Sequence, residues 1–230
     1  MNIVFGQTDC STNSGGTGGI WWDKPHTYVN AIANELFLAI AASLANRVAP
    51  GSNNPDYLSI AKQQWAWFKG TGMLQGNNNI IDGLDQSSCQ PNGGTVWTYN
   101  QGVILGGLVE LSKATHDGSY IQTAKNIADA AIATLAPGGI LTEPCESDNG
   151  CGGDGSQFKG VFMRNLVILQ NASPQDRYKQ FLETNANSIW AKDRNGNNEL
   201  SLKWAGPFVS PANASTQSSA LDGLVAALSV

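Results

Sequence analysis

Apolar positions along the chain fall into two alternating patterns, both with helical period. In the first, no polar face exists. Trp97 to Leu111 opens on aromatic and amide side chains and then runs almost wholly apolar and small. Asn30 to Arg47 is built alike, with Ala31, Ile32, Leu36, Phe37, Ile40, Ala41 and Leu44. A helix apolar on every side is a buried one. In the second pattern a single stripe is apolar. Tyr57, Ile60, Ala61, Gln64, Trp65 and Phe68 follow an Asn54-Pro55 start. Ile121, Ala124, Ile127, Ala128, Ala131, Ile132 and Leu135 mark residues 119–135, and Tyr178, Phe181, Leu182, Asn185, Ile189 and Trp190 follow Ser173-Pro174. These are amphipathic helices lying outside the buried ones. A helix from Gln157 to Leu169 and a last short one from Gln217 toward Val230 complete the set.

Buried and amphipathic helices thus pair, at intervals of roughly 60 residues, with long polar loops before the buried members. No strand-like run of comparable length competes. The pattern predicts one all-α domain over 1–230, an α/α toroid whose inner-helix mouths build a cleft. Gly102, Gly106 and Gly107 each cost about 1 kcal/mol of helix propensity relative to Ala. Tolerating them implies that neighbouring backbones approach closely there.

Charge changes the picture of the surface. Only 13% of residues are charged, against a usual ~25%, so hydroxyls and amides supply the polarity. A net charge of -5 without a basic run lacks the footprint of a nucleic-acid binder. No apolar run approaches a membrane span, and Met1 to Gly6 is too short for a signal peptide. Cys10, Cys89, Cys145 and Cys151 allow three connectivities. Their spacing makes no zinc knuckle and only His26 and His116 exist to help a metal, so no metal or cofactor is expected. Disulfides are preferred over free core thiols, with Cys145–Cys151 closing a small loop and Cys10–Cys89 left by elimination. The sequons at Asn171 and Asn213 agree with an extracellular or cell-wall address.

Several residues could carry chemistry. Trp21 and Trp22, after Gly18-Gly19-Ile20, either stack on sugar rings or plug the core. Glu35 is either a satisfied structural carboxylate or a group aimed into a cleft. Tyr99, Asn100 and Gln101 meet a ligand or merely cap their helix. Asp82 and Asp85 could bind a hydroxyl or calcium, but their acids are too few for a calcium loop and a turn is the simpler account. Residues 138–154 gather Glu143, Glu146, Asp148 and Asp154 around Cys145 and Cys151, more acids than linkage needs. Lys159 and Arg164 are the only cations of the following helix.

Gly18-Gly19-Ile20-Trp21-Trp22, Asn34-Glu35-Leu36-Phe37-Leu38, Trp97-Thr98-Tyr99-Asn100-Gln101-Gly102, Gly139-Ile140-Leu141-Thr142-Glu143 with Cys145-Glu146, Phe158-Lys159-Gly160-Val161-Phe162-Met163-Arg164 and Gln217-Ser218-Ser219-Ala220 together resemble the glycoside hydrolase family 76 endo-α-1,6-mannanases, the fungal cell-wall members above all. The match covers nearly the whole chain in order. It implies an (α/α)6 barrel that binds α-1,6-linked mannan on its rim and acts by retention, as hydrolase or transglycosidase. Retention needs two carboxyl groups ~5 Å apart, which in the family are neighbouring aspartates ahead of the Gly-Gly-Ile-Trp-Trp region. This chain contains no Asp-Asp, so its catalytic residues are unknown and Glu143, Glu146 and Asp154 are read as hydroxyl ligands or loop-fixing groups.

Three functions are compatible with these residues. The chain is a shortened mannanase, a glycan-binding pseudoenzyme, or an interaction protein of the wall with an occluded groove. In the second, Trp21, Trp22, Tyr99 and Trp204 stack on mannose while Asn34, Glu35, Asn100, Gln101, Lys159, Arg164 and Gln217 join the acids as polar contacts. An epimerase on the same toroid would want cleft histidines and ranks lower. About seven helices can be counted where twelve would close the ring, so the barrel is expected to be incomplete. Self-association through its open edge is expected with it.

Overall fold

A computed structural model of the chain describes residues 8–12, 16–51, 54–148 and 150–230. The expectations that touch Met1 to Gly6, Asn149 and the Asp148 side chain lie outside those residues. Seven long helices are present among them: α1 (Ala31–Ala45), α2 (Tyr57–Gly70), α3 (Thr98–Thr115), α4 (Ser119–Leu135), α6 (Phe158–Ala172), α7 (Asp176–Lys192) and α8 (Ala214–Leu228). A single short turn, α5 (Gly152–Gly155), precedes α6. β1 (Ser11–Thr12) pairs with β2 (Gly16–Thr17), and β3 (Val29–Asn30) with β4 (Gly83–Leu84), both antiparallel.

α3 lies at the centre, with every residue from Asn100 to Leu111 buried, and packs against α1 on one side and α6 on the other, while α8 follows beyond α6. These four form the inner row. α2 backs α1, α4 backs α3, and α7 backs α8. The architecture is an incomplete α/α toroid, and the alternation of wholly apolar with one-striped helices maps onto inner and outer rows because only an inner helix is covered on all sides. Inner neighbours run parallel and level. A Cβ on Gly102 would lie 2.6 Å from the Cα of Phe162, and one on Gly107 would lie 3.4 Å from the Cα of Ala39. Both residues sit at matching heights in adjacent helices, so Gly102 and Gly107 mark close backbone approach, whereas Gly106 faces a side chain, Asn165, whose Oδ1 would lie 2.5 Å from an added Cβ.

Several expectations are corrected. The last helix is not short: Asn213 accepts from Thr216 N at 3.0 Å while Thr216 Oγ1 accepts from Asn213 N, a reciprocal cap that starts α8 at Ala214. The helix after Ser173-Pro174 begins at Asp176. The polar N-terminal stretch is partly interior, since Thr8 and Cys10 are buried. Cys10 is bonded to Cys89, and its carbonyl accepts from the Trp67 indole at 2.8 Å. Asp82-Gly83-Leu84-Asp85 is not simply a turn, because Gly83 and Leu84 form β4. Both disulfides join the expected partners, Cys10–Cys89 and Cys145–Cys151. Among the described residues no helix is long and apolar enough to cross a membrane.

α1 and α8 end the inner row, and both leave apolar side chains in solvent: Ile40 is 58% exposed and Val225 57%, with Leu36, Leu221 and Leu228 beside them. Each set is spaced i, i+4 or i, i+4, i+7, a single stripe per helix. A groove of about 710 Å³ runs between α7 and α8, lined by Trp190, Leu224 and Leu228 among others.

Gly102→Ala is expected to destabilise the chain by about 1–3 kcal/mol, because the added methyl meets backbone that cannot rotate away. Gly153→Ala, where nothing lies within 4 Å of the added atom, should change stability little. Urea unfolding midpoints of the two variants check the contrast.

Candidate functional site

Long loops precede each inner helix and converge on the rim formed by the four N-terminal ends. Backbone groups in such loops, buried over helix ends, need partners that no regular ladder supplies. One side-chain amide answers in each loop. Asn34 accepts from Ile20 N at 2.8 Å and donates to Ile20 O at 3.1 Å. Gln101 accepts from Ile80 N at 2.8 Å and donates to Ile80 O at 2.7 Å. Asn185 accepts from Leu141 N at 2.8 Å and donates to Gly139 O at 3.2 Å. In the last loop Gln217 accepts from Leu200 N at 2.8 Å, and Thr216 Oγ1 donates to Leu200 O at 3.0 Å. Asn34 and Gln101 are fully buried, so the polar atoms read as ligand contacts hold the loops.

The clamped loops present a cluster at the mouth between α1 and α3. Asp82, two residues past Ile80, is half-buried. Its carbonyl accepts Ala31 N at 2.7 Å. Its carboxylate accepts from Tyr28 Oη at 2.9 Å and Asn100 Nδ2 at 3.3 Å, with Tyr99 Oη at 3.5 Å. Gly83 is required beside it, since any Cβ there would fall 2.4 Å from Tyr28 Oη. Burial pushes the Tyr28 phenol up to about 12, against the opposing hydrogen bond from Asn92. Burial, then the Asp82 charge, raises Tyr99 further. Both phenols therefore remain donors at any physiological pH. The Tyr99 ring stacks on Phe158, centroids 3.8 Å apart, and Trp97 meets Phe158 edge-on at 5.7 Å.

Glu35 lies beneath, fully buried, and among the described residues neither of its oxygens nor Asn100 Oδ1 has a hydrogen-bond partner. Burial first and the Asp82 charge second hold the Glu35 carboxyl well above the usual range. Among the described residues it lacks the partners of a satisfied structural carboxylate.

A second buried cluster braces the rim. Glu143 accepts from Thr98 N at 3.0 Å and from Thr98 Oγ1, at the start of α3. Glu146 accepts from Glu143 N at 2.8 Å and from the Lys159 ammonium. Lys159 also donates to Leu202 O at 2.6 Å and lies 4.6 Å over the Trp204 ring. Glu143, Lys159 and Trp204 are essentially without solvent contact, so they line no open surface in this structure.

The remaining candidates scatter along the rim. Trp22 is exposed, whereas Trp21 is partly buried and stacks on His26 at 5.0 Å. Trp22 plugs no core, while Trp21 packs against the edge of the core; the fully buried position is taken by Trp67, which packs over Gly18 and Gly19. Asp154 is exposed. Arg164 pairs with Asp222 across α6 and α8. Among the described residues no group of three His, Cys, Asp or Glu side chains is placed to hold a metal. Tyr28, Thr98 and Phe158 are not singled out by the sequence as ligand contacts, and Asp82, which could bind a hydroxyl, reads there more simply as part of a turn. A carboxylate ringed by phenol and amide donors beside stacked aromatic faces suits a polyhydroxylated ligand, whose hydroxyls donate to the acid while its C–H faces pack on rings.

The profile of glycosyl hydrolase family 76 matches residues 4–229. Mannan endo-1,6-alpha-mannosidase DFG5 of Saccharomyces cerevisiae is 29% identical over 218 residues, 89% of this chain and 46% of that protein. The chain thus spans about half the length of the curated relatives it matches. Among solved structures, Dfg5 from Chaetomium thermophilum in complex with glucosamine superposes with a TM-score of 0.77 at 22% identity, over 95% of this chain and 56% of that one. An inactive variant of a Salegentibacter alpha-1,6-mannanase, with two adjacent aspartates replaced by asparagine and alpha-1,6-mannotriose bound, superposes with a TM-score of 0.77 at 24% identity, over 95% and 65%.

Gln101→Leu removes both partners of the buried Ile80 peptide groups while keeping side-chain bulk. A loss of about 2–4 kcal/mol is expected from two orphaned groups. Chemical denaturation measures it, and an unchanged midpoint would show that the Ile80 peptide needs no clamp.

Proposed function

The chain belongs to glycosyl hydrolase family 76, and from that premise we propose that its cleft recognises α-1,6-linked mannan at an extracellular or cell-wall location. The observation that carries this reading is Asp82, a carboxylate offered to the cleft mouth among the donors Tyr28, Tyr99 and Asn100, next to the Tyr99–Phe158 stack. A mannose ring presents alternating hydroxyl edges and C–H faces that fit such a set. Exposed Trp22 on the neighbouring loop extends the aromatic surface along the rim. Two disulfides support an oxidising compartment.

Recognition and bond cleavage separate in this chain. Retaining hydrolysis needs two carboxyl groups about 5–5.5 Å apart, one on each side of the scissile bond. The sequence holds no adjacent aspartates, and Asp82's carboxyl neighbour Glu35 is sealed from solvent. The relative that holds alpha-1,6-mannotriose after loss of two adjacent aspartates supports binding by a cleft without that pair. The chain is therefore read as the glycan-recognising portion of a mannanase scaffold, acting on its own as a binding protein.

Calorimetry with α-1,6-mannotetraose is expected to show binding that Asp82→Asn weakens by roughly 10- to 100-fold, the cost of about 1.5–3 kcal/mol for a charge-assisted hydrogen bond. The same chain should release no reducing ends from α-1,6-mannan, and product above a no-protein control would overturn the non-catalytic reading. The exposed stripes on α1 and α8 favour association of copies, so sedimentation should show species larger than 24.3 kDa. A monodisperse monomer with a sharp melt would reject that part.

A further inference from the structure

Tyr99 and Asn100 owe their place at Asp82 to where α3 begins, and α3 has no side-chain cap of its own: its N-cap residue is Trp97, which makes no capping hydrogen bond. The first-turn donors are taken instead by a residue 45 positions away, through Thr98 N and Thr98 Oγ1 to the two oxygens of Glu143. Glu143 is in turn held by Glu146, whose Oε1 accepts Glu143 N at 2.8 Å and the Lys159 ammonium. Lys159 is fixed to the last rim loop through Leu202 O at 2.6 Å and the Trp204 ring. The Cys145–Cys151 bridge closes the loop that carries Glu146. These contacts run unbroken from α6 and the loop before α8 to the residue preceding Tyr99.

We infer that Glu143 is a positioning residue of the glycan cleft: held by Glu146 and Lys159, it fixes the first turn of α3 and so sets Tyr99 and Asn100 against Asp82. The inference rests on the mannan-binding reading, and it assigns Glu143 a part in recognition without contact to the sugar. An anion at a helix N-terminus gains from the helix dipole and from charge-assisted bonds only while ionised. Glu143 is poised near that limit, its carboxyl pushed up to about 7 chiefly by burial, against the Thr98 hydrogen bonds and the Lys159 charge. The charged groups around it are Glu146 on its own loop and Lys159 on α6, with Asp193 at the end of α7 facing Lys159. The first turn of α3 and the last turn of α4 bring no charge. Because the ionised form holds Thr98 more tightly, sugar affinity should rise with pH through about 7.

The test measures α-1,6-mannotetraose affinity from pH 5 to pH 8.5 for the native chain, Glu143→Gln, Thr98→Val, Thr98→Ser and Asp82→Asn, together with thermal melts and the ring resonances of Tyr99. Native affinity should increase roughly five- to tenfold across that range. Glu143→Gln should stay at the low-pH level throughout. Thr98→Val should weaken binding similarly, and Thr98→Ser, which keeps the hydroxyl, should restore it. Tyr99 resonances should move in Glu143→Gln and Thr98→Val without any sugar present. If Asp82→Asn loses binding while Glu143→Gln and Thr98→Val bind as the native chain does, with Tyr99 unmoved, the positioning role is overturned and the mannan reading stands. If the native chain binds no mannotetraose, the mannan reading fails and the recognition role of Glu143 fails with it. The Tyr99 resonances then separately decide whether Glu143 fixes the first turn of α3.

Discussion

Four rim loops must cross the buried ends of the inner helices with only two-residue strands and single bridges to pair them, and the side-chain amide is the group that makes this possible. A loop peptide there offers one N–H and one C=O, both removed from water, and leaving either unmade costs about 1–3 kcal/mol. Asn and Gln carry a donor and an acceptor on one planar group, so a single side chain satisfies both as a neighbouring strand would. Asn34 and Gln101 do so at Ile20 and Ile80. Asn185 spans Leu141 and Gly139, and at Leu200 the task is divided between Gln217 and Thr216. An ionised carboxylate could accept but not donate.

Each clamp also sets the register of the residues directly after it. Trp21 and Trp22 come immediately past Ile20, Asp82 two residues after Ile80, Glu143 two after Leu141, and Leu202 two after Leu200. The chain therefore pins an apolar residue's backbone and then presents a chemically useful group within the next two positions. Pinning limits how far those groups can wander, and the entropy of ordering them is met by folding and not by ligand binding. Asp82 shows the result, since its backbone caps α1 while its carboxylate meets donors from the loop before α1 and from α3.

Much of this is legible in the sequence. Helix pairing follows from apolar periodicity, and the glycines of α3 signal close approach because helix propensity makes an unneeded glycine costly. The clamps are not legible as clamps. Asn34, Gln101 and Gln217 stand at inner-helix mouths, where an amide facing a ligand and one facing a loop look identical in sequence. Asp82 reads as part of a turn because Asp-Gly is a common turn signal; here the glycine makes room for the Oη of Tyr28, from the loop before α1. The flanking Ile80-Ile81 and Leu84 are the available sign that this stretch goes inward. Glu35 can be placed on a buried helix, but its lack of a partner among the described residues is a property of the packed interior alone.

The cleft and the ring answer to different constraints. Closing a toroid is a global matter, and the stripes on α1 and α8 show it unmet, with Ile40 and Val225 more than half exposed. The cleft depends on α1, α3, α6 and α8 only through adjacent pairs, and the contacts that shape it lie within that set, the loops above it and Asn185 of α7. Glu143 reaches α3 from the loop before α6, Lys159 reaches the loop before α8, and Tyr28 reaches Asp82 from the loop before α1. None of these needs a helix beyond the row. The rim of these four helices is therefore shaped by neighbour-to-neighbour contacts, whereas closing the ring depends on what covers the stripes of α1 and α8.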